Sequence, residues 1–431
     1  MRLLEGRKAI EYAAKNLVQR GSRSDAKVER AVERIVGDVR EGGERALRRY
    51  AEKFDRLGEQ QALRVSEREM QDAFDAVSPE FIAALERAAG NIRRFAEWQK
   101  PESWLREIEP GLRVGQSAVP IDSVGCYVPG GRYPLPSSLL MTVIPAQVAG
   151  VPHIQVASPK PANETLAAAA LLGVTHFYRM GGAQAIAAFA YGIPGSTASR
   201  SAARPASPSD DPVIPRVKKI VGPGNAYVTA AKKLVAFDCA IDMLAGPTEA
   251  IVLAHDGNAA FYAADLVAQA EHDPETLVIF LSSSRRLAKQ VVKSCEAMSK
   301  KNPIARESLK RNAVALVIPD REEALGWANA IAPEHITVPQ SDAPFVFNAG
   351  SVFVGEYSPQ SLGDYASGPN HTLPTGGAAR YRGGLSVLDY LKIITVQEVS
   401  KAALKRIAPT VTLLAEAEGL QAHAQSVRVR L

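Results

Sequence analysis

The sequence predicts an α/β protein built from two Rossmann-like lobes, with small helical segments at the N- and C-termini. Three observations carry that prediction. From about Val119 onward, short β-rich runs alternate with Ala-rich stretches of helical length, the pattern of parallel βαβ units. The units fall into two sets, hence two lobes. Gly-rich turns follow the strand-like runs, where a helix N-terminus and free backbone N–H groups can receive an anion.

The chain has 431 residues, enough for more than one compact unit. Hydrophobic residues at 46% and charged residues at 23% exclude wholesale disorder. Its 51 basic and 46 acidic groups leave a net charge of +5, and they alternate, as from Arg30 to Arg49. That is a solvated helix face rather than a phosphate-backbone footprint, so nothing supports nucleic-acid binding.

The first hundred residues read as helical. Val28, Ala31, Val32, Ile35, Val36 and Val39 keep helical spacing, Ala46 to Phe54 resume it after Gly42-Gly43, and Phe81–Trp98 continue it. The residues from Met1 to Ala14 carry five charged side chains and no signal-like apolar core. Leu139–Val151, the most apolar stretch, is interrupted by Thr142, Pro145, Gln147 and Gly150, too short and too broken to span a bilayer.

In the first βαβ set the expected strands are Ile154–Ala157, Phe177–Met180 and Lys219–Val221, with helices Thr165–Leu172, Ala183–Ala190 and Ala226–Val235. In the second they are Ala250–Leu253, Leu277–Leu281 and Val314–Ile318, with helices Ala259–Glu271 and Arg286–Lys300. Gly195–Pro215 is rich in Ser, Ala, Pro and Asp without apolar periodicity and reads as a mobile surface loop. From Tyr390 the chain reads as helical again, ending in a strand-like Val427–Leu431. Cys126, Cys239 and Cys295, odd in number and widely spaced, point to a reducing compartment, and the expected location is the cytoplasm.

Four Gly-rich turns stand in CYVPGGRYP, MGGAQAIAA, IVGPGNAYV and LAGPTEAIV. None is a G-x-G-x-x-G fingerprint, but four so close together favour a cofactor site. Seven histidines are few enough to weigh singly. His153, His176 and His255 lie at strand edges without useful polar neighbours in sequence and read as structural. His272 follows Gln269 by three residues, on one helix face, a weak metal signal alone. Glu334-His335 offers a carboxylate and an imidazole for general base chemistry, though the pair alone reads equally as a surface loop. Asp364 and His371 share a turn-rich polar segment, and His423 follows Glu418 by five residues. Together these groups supply nitrogen and oxygen ligands suited to zinc.

These segments, CYVPGG, GGAQAIAAFAYG, IVGPGNAYV, AGPTE, QAEHDP, APEH, NAGSVFVG, GDYASGPNHTLPTGG and EAEGLQAH, together resemble histidinol dehydrogenase, in order over essentially the whole chain. The resemblance implies a cytoplasmic, zinc-dependent enzyme of histidine biosynthesis that oxidises L-histidinol to L-histidine through histidinaldehyde in two NAD+-dependent steps. By motif match the zinc ligands would be Gln269, His272, Asp364 and His423, one ion in each subunit, and Glu334 and His335 the catalytic pair. Tyr127, Gln184 and Asn225 fall where the family contacts NAD, and Thr248, His371 and Glu418 where it contacts substrate; Gln269, His272, His335, Asp364 and His423 border the same substrate. Gln269, as a neutral oxygen donor, would leave more positive character on the metal than a further carboxylate. The family forms a homodimer with an exchanged C-terminal segment, so Glu418 and His423 would come from the partner. Residues 1–21 would be an N-terminal helical segment and 22–122 with 247–385 the first α/β domain. Residues 123–246 would form the NAD-binding domain and 386–431 a dimerisation tail.

Three departures stand out. Thr248 replaces the family's usual Ser and adds a methyl group at the substrate site. The Gly195–Pro215 loop is longer than usual and is expected to be disordered without cofactor, and the stretch between His335 and Asn348 is a few residues shorter. A relative oxidising another small alcohol, such as a sulfonated propanediol, is the nearest rival, disfavoured by the retained His371 and Glu418. A thiohemiacetal mechanism at Cys126 is a second rival, against the simpler reading of a buried strand-end thiol. A nucleotide-binding protein that had lost its chemistry is the non-enzymatic alternative, disfavoured because every ligand and catalytic position is filled.

Overall fold

A computed structural model describes residues 1–20, 25–130, 133–195 and 213–431. Most of the expected Gly195–Pro215 loop lies outside the described residues. The chain opens with a strand, β1 (Arg2–Glu5), then α1 (Arg7–Tyr12), extended by a π-helical turn over Ala13–Val18. In α2 (Ala26–Asp55), Gly43 leaves the helical region at φ 55° and ψ −137°, which is the interruption expected from Gly42-Gly43. β2 (Arg64–Val65) leads to α3 (Glu67–Ala76), started by a Ser66–Glu69 capping box, and α4 (Pro79–Gln99), started by Ser78 and Pro79. Two antiparallel strands follow, β3 (Trp104–Glu109) and β4 (Leu112–Pro120).

The first βαβ series is β5 (Ser123–Tyr127), α5 (Pro136–Ala149), β6 (His153–Ala157), α6 (Asn163–Leu171), β7 (His176–Tyr178), α7 (Gly182–Tyr191), β8 (Lys219–Val221), α8 (Ala226–Val235) and β9 (Ala240–Ile241). The second is β10 (Glu249–Leu253), α9 (Ala259–Ala270), β11 (Leu277–Ser282), α10 (Arg285–Met298), α11 (Pro303–Arg311), β12 (Val314–Val317), α12 (Arg321–Ile331), β13 (His335–Val338), β14 (Ser351–Val354) and α13 (Gln360–Tyr365). The chain closes with β15 (Leu391–Val399), α14 (Lys401–Ala417) and α15 (Gln421–Arg428).

Two six-stranded sheets result. One is parallel throughout, in the order β1-β12-β11-β10-β13-β14; the other runs β2-β7-β6-β5-β8-β9 with only β2 antiparallel, at its edge. Each βαβ series lays its own strands in the order third, second, first, fourth, fifth. The strand order therefore reverses between β5 and β8 in one sheet and between β10 and β13 in the other, the crevices where doubly wound sheets receive ligands. β5, β10, β12 and β13 are buried along their whole length, as in parallel sheets covered on both faces.

Several expectations are corrected. Residues 2–5 are not helical: they extend the first sheet beside β12, pairing Arg2 with Val314. Residues 26–99, expected to join 247–385, pack instead on the other sheet: α2 lies against α7 and α8, α3 against α6 and α4 against α5, and Val32, Ile35, Leu47 and Tyr50 share a core with Tyr178 and Phe189. The apolar stripe of α2 is complementary to those Ala-rich helices. Residues 391–399, read as helix, form a nine-residue strand against β4, because Ile393–Val396 is an unbroken run of β-branched residues and a long partner strand is available. The strand-like C-terminus is helical as far as Arg428. No helix among the described residues is long and apolar enough to cross a membrane.

Candidate active site

The Glu334-His335 pair sits at the amino end of β13, where α12 ends in a left-handed cap at Ala332 (φ 53°) and Pro333 turns the chain into the sheet. α9 runs back from the carboxyl end of β10 and delivers Gln269, buried, near its last turn; α13 delivers Asp364. The His335 ring lies between two carboxylates, Nε2 3.5 Å from Asp364 Oδ1 and Nδ1 3.8 Å from Glu334 Oε2. Gln269 Nε2 donates to the other Asp364 oxygen at 3.0 Å. Gln269 Oε1 and His335 Nδ1 are buried polar atoms without a hydrogen-bond partner among the described residues. Buried polar atoms of this kind are ones a bound ligand group can satisfy.

His371 joins from the loop after α13. Its Nδ1 pairs with the Asp364 carbonyl at 2.8 Å and its Nε2 with Ser138 Oγ at 3.3 Å, a contact that ties the first sheet's loops to α5 of the other lobe. Asn370 Nδ2 donates to the Met141 carbonyl at 2.6 Å along the same seam. His272 is exposed at the end of α9, close enough for its charge to act on Asp364. Thr248 immediately precedes β10, its carbonyl accepting from Leu277 N–H. Glu418 and His423 lie apart, exposed at the junction of α14 and α15, with no hydrogen bond or ion pair to these groups among the described residues. Nor do the described residues contain three or more His, Cys, Asp or Glu side chains placed to hold a metal.

Burial dominates the electrostatics. It lifts the Glu334 carboxyl to about 7, against the opposing pull of the His335 ring and of a hydrogen bond from Glu249 N–H. Burial works to lower the His335 pKa, but the Glu334 and Asp364 carboxylates outweigh it and hold the ring above its ordinary value. Asp364 ends below the usual carboxylate range because the hydrogen bond and charge of His335 overcome burial. His371 is depressed by burial. A buried carboxyl able to titrate near neutrality beside an imidazole is a proton-transfer pair.

A second cluster lies at the carboxyl ends of β5, β6 and β7. Tyr127 and Gln184 are buried: the Tyr127 hydroxyl accepts from Gly182 N–H at 3.1 Å, and Gln184 Nε2 donates to Asp55 Oδ2 at 3.0 Å. Asp55 Oδ2 also accepts from Gly181 N–H at 2.9 Å, so this one carboxylate, raised by burial, fixes the GGAQ turn. Asn225 caps α8, its Oδ1 accepting from Tyr227 and Val228 N–H. Gly222, at φ 113°, brings the GPG turn against β5, where a Cβ would lie 2.1 Å from the Tyr127 carbonyl oxygen. Cavities of about 190 Å³ and about 140 Å³ flank Lys160 and Pro161, the first reaching Asp55 and Arg179, the second Gly130 and Ser158. Both open at the edge where a doubly wound sheet takes its ligand.

Sequence reasoning missed Asp55, Glu249 and Arg20. Asp55 ends α2 next to Phe54, and nothing in its local sequence announces a partner 126 residues on. The thiohemiacetal reading of Cys126 fails: the side chain is fully buried and burial pushes the thiol up to about 12. His255 does have an acidic neighbour, Asp342 Oδ2 at 3.5 Å from Nε2, with Ser283 Oγ at 2.9 Å from Nδ1, but it lies beyond the opposite end of β10.

The histidinol dehydrogenase family profile matches residues 18–431. The histidinol dehydrogenase of Geobacter sulfurreducens is 43% identical over 436 aligned positions, covering 98% of this chain and 97% of that protein. That of Methanosarcina barkeri is 41% identical, covering 97% and 95%. The crystal structure of histidinol dehydrogenase from Elizabethkingia anophelis superposes with a TM-score of 0.90 at 36% identity, covering 100% of this chain and 98% of that one. The chain belongs to the histidinol dehydrogenase family and is an NAD-dependent oxidoreductase.

Proposed function

We propose that the enzyme oxidises L-histidinol to L-histidine through histidinaldehyde, with two NAD+ and a zinc ion, as the last steps of histidine biosynthesis in the cytoplasm. The observation that carries this reading is the buried Glu334-His335 pair, a carboxyl at about 7 beside an imidazole flanked by Asp364. In the first oxidation His335 takes the substrate hydroxyl proton, through whichever ring nitrogen faces it. In the second, Glu334 takes a proton from the water that attacks the aldehyde carbon, and His335 removes the hydroxyl proton of the resulting gem-diol as hydride leaves. Bound NAD+ supplies the hydride acceptor for both steps.

The donor set fits zinc: Gln269 contributes a buried carbonyl oxygen without a partner among the described residues, Asp364 a carboxylate and His272 an exposed imidazole. His423 would complete it. When bound, zinc supplies a fixed positive charge that orients the substrate's amino and imidazole nitrogens. Thr248, His371 and Glu418 line the substrate. Tyr127, Gln184 and Asn225 shape the NAD edge of a Rossmann-like lobe.

Glu418 and His423 stand exposed on an arm that also exposes Leu413, Leu414 and Val429. A homodimer that exchanges this arm would bury those apolar residues and bring both polar ones to the partner's site. The test is stoichiometric: purified protein with zinc should yield two NADH and one histidine per L-histidinol, and chelation should stop it. No turnover by folded, zinc-loaded dimer would sink the reading.

A further inference from the structure

Arg20 closes the N-terminal segment, far in sequence from every group described above, yet its guanidinium is buried in the wall of the active site. Nε and Nη2 fork the Glu249 carboxylate at 2.6 and 2.5 Å, with side chains 13% and 8% exposed. Nη1 donates to the Leu17 carbonyl and, at 2.8 Å, to the Ile331 carbonyl; Nη2 approaches the Ala332 carbonyl at 3.5 Å. Arg20 therefore grips the end of α12 at the carbonyls three and two residues before Glu334. Glu249 completes the frame. Its Oε1 accepts from Gly376 N–H at 3.1 Å, and its own backbone N–H donates to Glu334 Oε2 at 3.0 Å.

We propose that Arg20 and Glu249 are a positioning pair for the second oxidation, holding the Glu334 carboxylate where it can activate water. The proposal rests on the role given to Glu334 above. The charges that face Glu334 are His335 on β13, Glu249 on β10 and Asp364 on α13. Arg20 is the cation that cancels Glu249. Without it a buried carboxylate is left with the Gly376 N–H, beside a second carboxylate of like charge. The start of β10 then shifts to relieve the repulsion, and the N–H that fixes Glu334 moves with it. His335 has Asp364 on its far side and is disturbed less.

The two oxidations separate these effects. In the second, a C–O bond forms at the aldehyde carbon, the water proton goes to Glu334, and the carbon-bound hydrogen leaves as hydride to NAD+. In Arg20→Gln the first oxidation should fall by less than about threefold and the second by about tenfold or more. Trapping with hydroxylamine should then capture histidinaldehyde, with NADH per L-histidinol dropping from two toward one. The double variant Arg20→Gln/Glu249→Gln removes the orphaned charge and should recover most of the second oxidation. If Arg20→Gln does not fold, Arg20→Lys, which keeps the charge and loses the fork, should show the same aldehyde release in milder form. Equal loss of both oxidations in the Arg20 variants, or a double variant no better than Arg20→Gln, overturns the proposal. Failure of the native enzyme to oxidise L-histidinol at all would overturn the underlying reading as well.

Discussion

Gln269 Nε2 donates to Asp364 Oδ2 at 3.0 Å, and that bond settles which way the amide faces. With its nitrogen committed, the carbonyl oxygen Oε1 is presented as a buried acceptor without a partner among the described residues. An unsatisfied oxygen costs about 1–3 kcal/mol unless something fills it. If zinc is that something, Gln269→Leu should lower zinc affinity by at least about 10–100-fold while leaving the fold intact. Elemental analysis after dialysis reads the result directly, and full zinc retention in the Leu variant would exclude Gln269 as a ligand.

Burial places the Glu334 carboxyl at about 7, which gives the second oxidation a defined pH dependence. If Glu334 is the general base of that step it must be ionised to act, so below about pH 7 its protonated fraction is inactive. The rate of histidinaldehyde oxidation should rise with pH through that value and level off above it. Glu334→Gln should abolish this limb and cut the step by about 10²–10⁴-fold, with the first oxidation affected far less. A Gln variant that kept the limb would assign it to another group.

The fold was legible wherever local pattern and final packing agree. Lys219–Val221 and Ala226–Val235 match the expected strand and helix to the residue, since a buried apolar run, a Gly turn and an Asn cap all point the same way. Leu391–Val399 was misread because its β-branched run Ile393–Val396 is short and leads straight into a helix, and the β4 strand that completes its pairing lies about 280 residues earlier. The site divides along the same line. Glu334 and His335 declare themselves as neighbours in sequence. Arg20 and Asp55 act through bonds to Glu249 and Gly181, and only the folded chain brings those together.

Asp55 is the residue whose hold on the GGAQ turn, the NAD edge in the proposed reading, sequence reasoning did not foresee. It accepts from both Gly181 N–H and Gln184 Nε2, and Gly181 has no room for a side chain, since a Cβ would lie 2.6 Å from Pro159 Cβ. Asp55→Ala should orphan both donors and loosen the turn, raising KM for NAD+ by about tenfold, equivalent to about 1.4 kcal/mol, with a smaller change in kcat. Asp55→Asn should cost less. Burial already disfavours the charged form, and both bonds go to one oxygen, which the amide carbonyl can replace. Steady-state kinetics with varied NAD+ separates the cases, and an unchanged KM in the Ala variant would remove Asp55 from the cofactor edge.

The C-terminal arm makes the sharpest claim about assembly. His423 is exposed on α15, while Gln269 and Asp364 are buried under α9 and α13 of the same chain. The arm is rooted in its own chain through Ser400 N–H to the Gly111 carbonyl at 2.8 Å and Arg406 to the Pro110 carbonyl. On the proposed reading, a metal site completed by His423 draws it from another copy. His335→Ala and His423→Ala should each be inactive alone. In a mixed dimer one site combines both defects and the other contains neither, so random exchange at equal concentration should restore about a quarter of native activity. Recovery should require subunit exchange, followed with a mass-tagged chain. Full exchange without recovered activity would mean that His423 serves the site of its own chain, and an active His423→Ala enzyme would mean that it serves none.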